Sequence, residues 1–143
     1  MCNSLTSDAI REIVYRFGDA SVPPEFHRSY EIRLTLDRVE VAVDSYGDVL
    51  ATRSYQVSAD QFEDIVLSLR QNVTLRAQLE EDDGCTGGTS ETITVSDGEK
   101  TIFSGTVYHC GGKDSGTLGG DVARFAEDIK RLTPDLKELL SRA

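Results

Sequence analysis

Between Tyr30 and Asp44 apolar and polar residues alternate almost without a break, and this stretch constrains the fold more than any other. Ile32, Leu34, Leu36, Val39, Val41 and Val43 take one side. Glu31, Arg33, Thr35, Glu40 and Asp44 take the other, with a turn at Asp37-Arg38. A period of two sends successive side chains to opposite faces of a strand. Both arms therefore present one apolar and one wet face, which predicts an antiparallel hairpin buried on one side. Such a sheet needs a second layer to cover its apolar face.

The period changes after Ser58. Ser58 and Gln61 stand in the spacing of a capping box, and Phe62, Ile65, Val66 and Leu69 follow at i, i+3, i+4, i+7. That is the apolar stripe of an amphipathic helix. The stripe recurs at Val122, Phe125, Ala126 and Ile129 behind Asp121, a candidate N-cap. Thr133-Pro134 opens a short last helix with Leu136, Leu139 and Leu140 on its apolar side. Further strands are expected over about 10–17, 49–57 and 73–80, with a turn at 45–48 between the second hairpin arm and the strand near 49–57. Thr92–Ser96 and Lys100–His109 flank Asp97-Gly98, a strong hairpin signal.

These segments predict an α+β chain: a mostly antiparallel sheet in β-(βββα)-(βββα) order, with helices covering one face as a two-layer sandwich. No linker divides it, so residues 1–143 are expected to form a single α+β domain, with residues 1–8 as a flexible N-terminal arm.

Three cysteines divide into Cys2 and an internal pair, Cys85 and Cys110. A ladder turning at Asp97-Gly98 sets Ile93 against Ile102 and Val95 against Lys100, and its extension sets Cys85 against Cys110. Opposed strand residues lie within disulfide reach, so Cys85 and Cys110 are the disulfide candidates, a bond expected only in an oxidising compartment. The same pair with His109 defines the alternative, a thiol, redox or metal-dependent site. No C-x-x-C or H-x-x-x-H spacing supports zinc, and adjacent strand residues His109 and Cys110 point to opposite faces, so no metal and no cofactor are expected.

The loop Gly18–Ser29 is long for a connection within a compact sheet and carries Val22-Pro23-Pro24 followed by Phe26, His27 and Arg28. Phe26, His27 and Arg28, together with Tyr46 in the 45–48 turn and His109, are the candidate contacts for a ligand or partner. The segment Gly111–Gly120 reads as a turned connection, since it matches neither the phosphate-loop nor the dinucleotide spacing. The acidic run 80–83 and the pair Asp44 and Asp48 lack calcium-loop spacing. With two histidines, no Ser-His-Asp arrangement can be assembled.

Charge narrows the partners. The 143 residues carry 25 acids against 15 bases, a net −10, and residues 1–72 and 73–143 contribute equally. Phosphate-backbone binding and adhesion to anionic lipid have the wrong sign of field, and no apolar run is long enough for a spanning helix. No nucleic-acid partner and no membrane insertion are expected. The N-terminus lacks a signal-peptide pattern, which points to the cytoplasm as written, whereas a processed lipoprotein cysteine at Cys2 would place the chain in a cell envelope. The function expected is a non-enzymatic protein-binding or structural module.

Overall fold

The computed structural model describes residues 10–75, 88–110 and 113–142. Among these residues nine strands and three helices follow in the order β1 (Glu12–Gly18), β2 (Ser29–Thr35), β3 (Arg38–Ser45), β4 (Asp48–Gln56), α1 (Ala59–Asn72), β5 (Val73–Leu75), β6 (Thr89–Ser96), β7 (Thr101–Cys110), β8 (Lys113–Gly116), β9 (Leu118–Gly120), α2 (Val122–Lys130) and α3 (Leu136–Arg142). Seven strands form one sheet in the order β4-β3-β2-β1-β6-β7-β8, every neighbouring pair antiparallel, and β5 and β9 form a second, two-stranded sheet. β1 is the hinge of the arrangement: it pairs β2 on one side and β6 on the other, joining the two halves of the chain.

Alternation carries through the whole sheet as side-chain rows. One row runs Tyr55, Val39, Leu34, Ile13, Val95, Phe103, and the next runs Arg53, Val41, Ile32, Tyr15, Ile93, Gly105. A third runs Ala51, Val43, Tyr30, Phe17, Glu91, Val107. The central members are buried, except Phe17 and Glu91, which are partly so, and the helices lie over them: Tyr15 meets Phe125 of α2 edge-on at 6.4 Å between ring centres. On the opposite face Arg33 pairs Glu12 at 2.8 Å, and the Thr92 and Thr106 hydroxyls lie 3.0 Å apart, a wet surface of the predicted kind.

Both helical stripes are buried as the spacing requires: Phe62, Ile65, Val66 and Leu69 on α1, and Val122, Phe125, Ala126 and Ile129 on α2. The capping box of α1 is complete, with Gln61 N–H donating to Ser58 Oγ at 3.1 Å and Ser58 N–H to Gln61 Oε1 at 2.9 Å. A cap of this type contributes about 1 kcal/mol. Asp121 caps α2 by accepting from Arg124 N–H at 3.0 Å. The helices are joined by Ser68 Oγ, which donates to Asp128 Oδ2 at 2.6 Å.

Three details differ from expectation. The Asp97-Gly98 hairpin is shifted: Ile93 faces Gly105 and Val95 faces Phe103, because residues 97–100 all lie in the loop and the ladder slips between Val95 and Ser96. Asp97 holds that longer loop, its carboxylate accepting from Glu99 and Lys100 N–H at 2.9 Å each. Leu36 is not on the buried side; it sits in the β2–β3 turn, half exposed. The 111–120 segment is largely β8 and β9 rather than a plain connection, so the second half holds more strands than the βββα plan. β5 supplies the start of the strand expected over 73–80, and the remainder of that stretch lies outside the described residues.

Candidate functional site

The Gly18–Ser29 loop folds down against the β3–β4 turn, and the carbonyls of its two prolines organise it. Proline has no N–H to donate, but its C=O accepts normally. Pro23 O takes Phe26 N–H at 2.9 Å and His27 N–H at 3.0 Å, and Pro24 O takes the Ser45 hydroxyl at 2.7 Å. Asp19 closes the base of the loop: its two carboxylate oxygens accept Ala20 N–H at 2.8 Å and Arg28 N–H at 2.9 Å, and its own N–H donates to Ser29 Oγ at 2.8 Å.

His27 and Tyr46 lock the loop to the turn. His27 is buried, its ring stacks on Tyr46 at 3.7 Å, and its Nδ1 accepts the Tyr46 backbone N–H at 3.2 Å. With Nδ1 an acceptor, the neutral imidazole carries its proton on Nε2. The Tyr46 hydroxyl donates to Val22 O at 2.6 Å. Tyr46 adopts φ 49°, a left-handed conformation that costs a non-glycine residue energy and persists only where surrounding contacts impose it.

Asp44 sits beneath the same turn, buried, with Arg16 at 3.1 Å and the Gly47 N–H at 2.9 Å. Burial pushes its carboxyl up, but the Arg16 hydrogen bond, the Gly47 N–H and the Arg16 charge together outweigh burial and hold it below the ordinary carboxylate value.

Four large apolar side chains stand outside this rigid frame: Phe26 is 68% exposed, Tyr46 56%, Val49 62% and Leu50 44%. They are four of the six exposed large hydrophobics among the described residues, all drawn from this loop, this turn and the start of β4.

The predicted site residues thus separate. Phe26, His27, Arg28 and Tyr46 come together at one end of the sheet, with Arg28 Nη1 donating to the His27 carbonyl at 2.6 Å. His109 lies apart on β7, where its Nε2 meets Glu91 Oε1 at 2.6 Å. The other Glu91 oxygen accepts the Tyr15 hydroxyl at 2.6 Å. Burial, then this bond, then the Glu91 charge push the Tyr15 hydroxyl far above its ordinary pKa. Glu91 and His109 border a cleft of about 280 Å³ that also meets Leu118, Asp121 and Val122. Both Glu91 oxygens are engaged, so the carboxylate ties β1 to β7 across β6 at the helix-side face.

Cys85 lies outside the described residues. The register premise for pairing it with Cys110 is corrected by the hairpin slip: His109 faces Thr89, so the ladder runs past Cys110 toward residue 88. Among the described residues no three or more His, Cys, Asp or Glu groups are placed to hold a metal ion, and no helix is long and apolar enough to cross a membrane.

Sequence reading missed Glu91, Tyr15, Val49 and Leu50, and weighed Asp44 only as a calcium ligand. For Glu91 the signal was available: it shares parity with Ile93 and Val95, and a carboxylate at a core-facing position requires a partner. For Val49 and Leu50 no such signal existed, because the register of β4 is decided by an irregularity between Val43 and Asp44. No protein-family model, curated protein or solved structure matches this chain.

Proposed function

We propose that this chain is a non-enzymatic protein-binding module whose contact surface is the apolar end formed by the Gly18–Ser29 loop, the β3–β4 turn and the start of β4. The observation that carries this reading is the exposure of Phe26, Tyr46, Val49 and Leu50 on a frame already held by hydrogen bonds. Clustered exposed apolar side chains mark contact surfaces, and a surface ordered in advance loses little entropy on binding. The alternative, a thiol- or metal-centred site on Cys85, Cys110 and His109, has less support, since His109 gives its Nε2 to Glu91.

The test places a photo-crosslinking residue at Leu50 and, as a control, at Leu67, which is exposed on α1. A discrete adduct is expected from position 50 alone, competed away by wild-type protein but not by a Phe26→Ser, Leu50→Ser variant. Equal labelling from both positions, or competition by the variant, overturns the reading.

A further inference from the structure

We infer that the partner docks as an added strand along β4 and is an extended, basic segment of another protein. The inference rests on the binding reading above and concerns how, and by what, that end of the sheet is occupied.

Among the described residues β4 ends the seven-stranded sheet and pairs only β3. Its free side can be assigned residue by residue. Val57 N–H donates to the Asp37 carbonyl at 3.0 Å, one step beyond the Gln56–Arg38 pair. An antiparallel ladder alternates residues bonded to the neighbour with residues whose N–H and C=O point away. Tyr55 and Arg53 therefore bond toward β3 with Val57, and Thr52, Ser54 and Gln56 turn their backbone groups outward. Among the described residues none of these three has a partner on that side. The opposite edge, β8, has only four residues.

An open strand edge is a template for pairing, and proteins blunt such edges with proline, lysine or a bulge. β4 contains no proline and no lysine. Its irregularity opposite Val43 and Asp44 leaves Leu50 as the extra residue, so the regular ladder available to a partner is Ala51–Gln56, with Val49 and Leu50 exposed just before it.

Charge selects the occupant. The one cation of β4, Arg53, is paired with Asp135 at 2.8 Å. Asp48 at the start of the strand and Asp37 beside its end are exposed acids, and among the described residues neither is in an ion pair. A second copy pairing antiparallel about a two-fold axis would set the Asp48 end of one strand near the Asp37 end of the other, acid against acid, with −10 on each chain. A strand with Lys or Arg toward both ends and apolar side chains between them answers the same edge without repulsion. Main-chain bonds supply the affinity of such an added strand and its side chains the selectivity.

The experiment titrates the ¹⁵N-labelled protein with a short soluble peptide alternating Lys and Val, and with its Glu and Val counterpart. Saturable shifts of the Thr52, Ser54 and Gln56 amides are expected with the basic peptide only, weakening as salt is raised. Ser54→Pro removes an outward N–H without touching the β3 ladder and is expected to weaken binding roughly tenfold or more, about 1.4 kcal/mol; Ser54→Ala is expected to bind as wild type. Unchanged binding by a Ser54→Pro protein with wild-type spectra overturns strand addition, and equal binding of the acidic peptide overturns the charge assignment. Shifts confined to Phe26, Tyr46 and Val49 overturn strand addition while leaving the apolar-end reading standing. Concentration-dependent shifts of the same three amides without peptide assign the edge to a second copy and overturn the inference.

Discussion

The backbone N–H of Tyr46 donates to Nδ1 of His27 at 3.2 Å while the two rings stack 3.7 Å apart. One residue thus holds another by both its ring and its backbone, across a separation of 19 positions. The left-handed backbone of Tyr46 and the buried imidazole are two sides of one lock, and the exposed faces of Phe26, Val49 and Leu50 depend on it for their placement.

His27→Phe keeps a ring to stack on Tyr46 and removes the Nδ1 acceptor. The Tyr46 N–H then loses its partner in a half-buried position, a loss of roughly 1–3 kcal/mol. Urea denaturation should show a lower midpoint with an unchanged slope; a midpoint equal to wild type would show that the hydrogen bond contributes nothing.

Asp44→Asn keeps an acceptor for the Gly47 N–H but removes the charge facing Arg16. A loss of roughly 1–3 kcal/mol is expected at neutral pH. Because the Asp44 carboxyl is held below its ordinary value, its stabilisation is fully present above the unfolded-state pKa and is lost as pH falls through the folded one. The gap between wild type and variant should therefore close below about pH 4. A gap that persists into acid would locate the effect in packing instead.

Glu91 and Tyr15 should behave as a coupled pair. Glu91→Leu in the wild-type background leaves the buried Tyr15 hydroxyl without its acceptor, whereas the same change in a Tyr15→Phe background leaves no such orphan. The double-mutant cycle should return a coupling of about 0.5–3 kcal/mol. Simple additivity would mean that the 2.6 Å contact carries no net stabilisation.

Two glycines separate backbone strain from steric overlap. Gly47 has φ 93° with open space where a Cβ would go, so Gly47→Ala should cost only the left-handed conformation, about 1–2 kcal/mol. At Gly116, φ is 111° and a Cβ would stand 2.2 Å from the Thr106 carbonyl oxygen, backbone that must move. Thermal melts should rank Gly116→Ala well below Gly47→Ala; equal losses would show that the close approach adds nothing to the backbone strain.

Much of the architecture was legible in one dimension. The 30–44 alternation became β2 and β3, and the two 3.6-residue stripes became the buried faces of α1 and α2, because burial of one face imposes a period that needs no knowledge of the neighbour. Turn detail was less legible. Leu36 follows the alternation yet lies in the turn, and the Asp97 loop took four residues because the Asp97 carboxylate offers two backbone N–H groups a better acceptor than a two-residue turn would.

Of the candidate site, the sequence by itself determined the ingredients: a stiff proline pair, an aromatic, a histidine and a cation in a loop too long to be a mere connection, and a tyrosine in the next turn. Which of them meet was decided only in three dimensions. β1 runs between β2 and β6, and the Gly18–Ser29 loop falls on the β3–β4 turn because both emerge at the same end of the sheet, which brings His27 to Tyr46 and leaves His109 with Glu91. The open edge of β4 is likewise a property of sheet order, since nothing local in a strand's sequence states whether another strand will lie beside it. Local periodicity reports what a residue must hide from water; only the long-range pairing of strands reports what is left for a partner to cover.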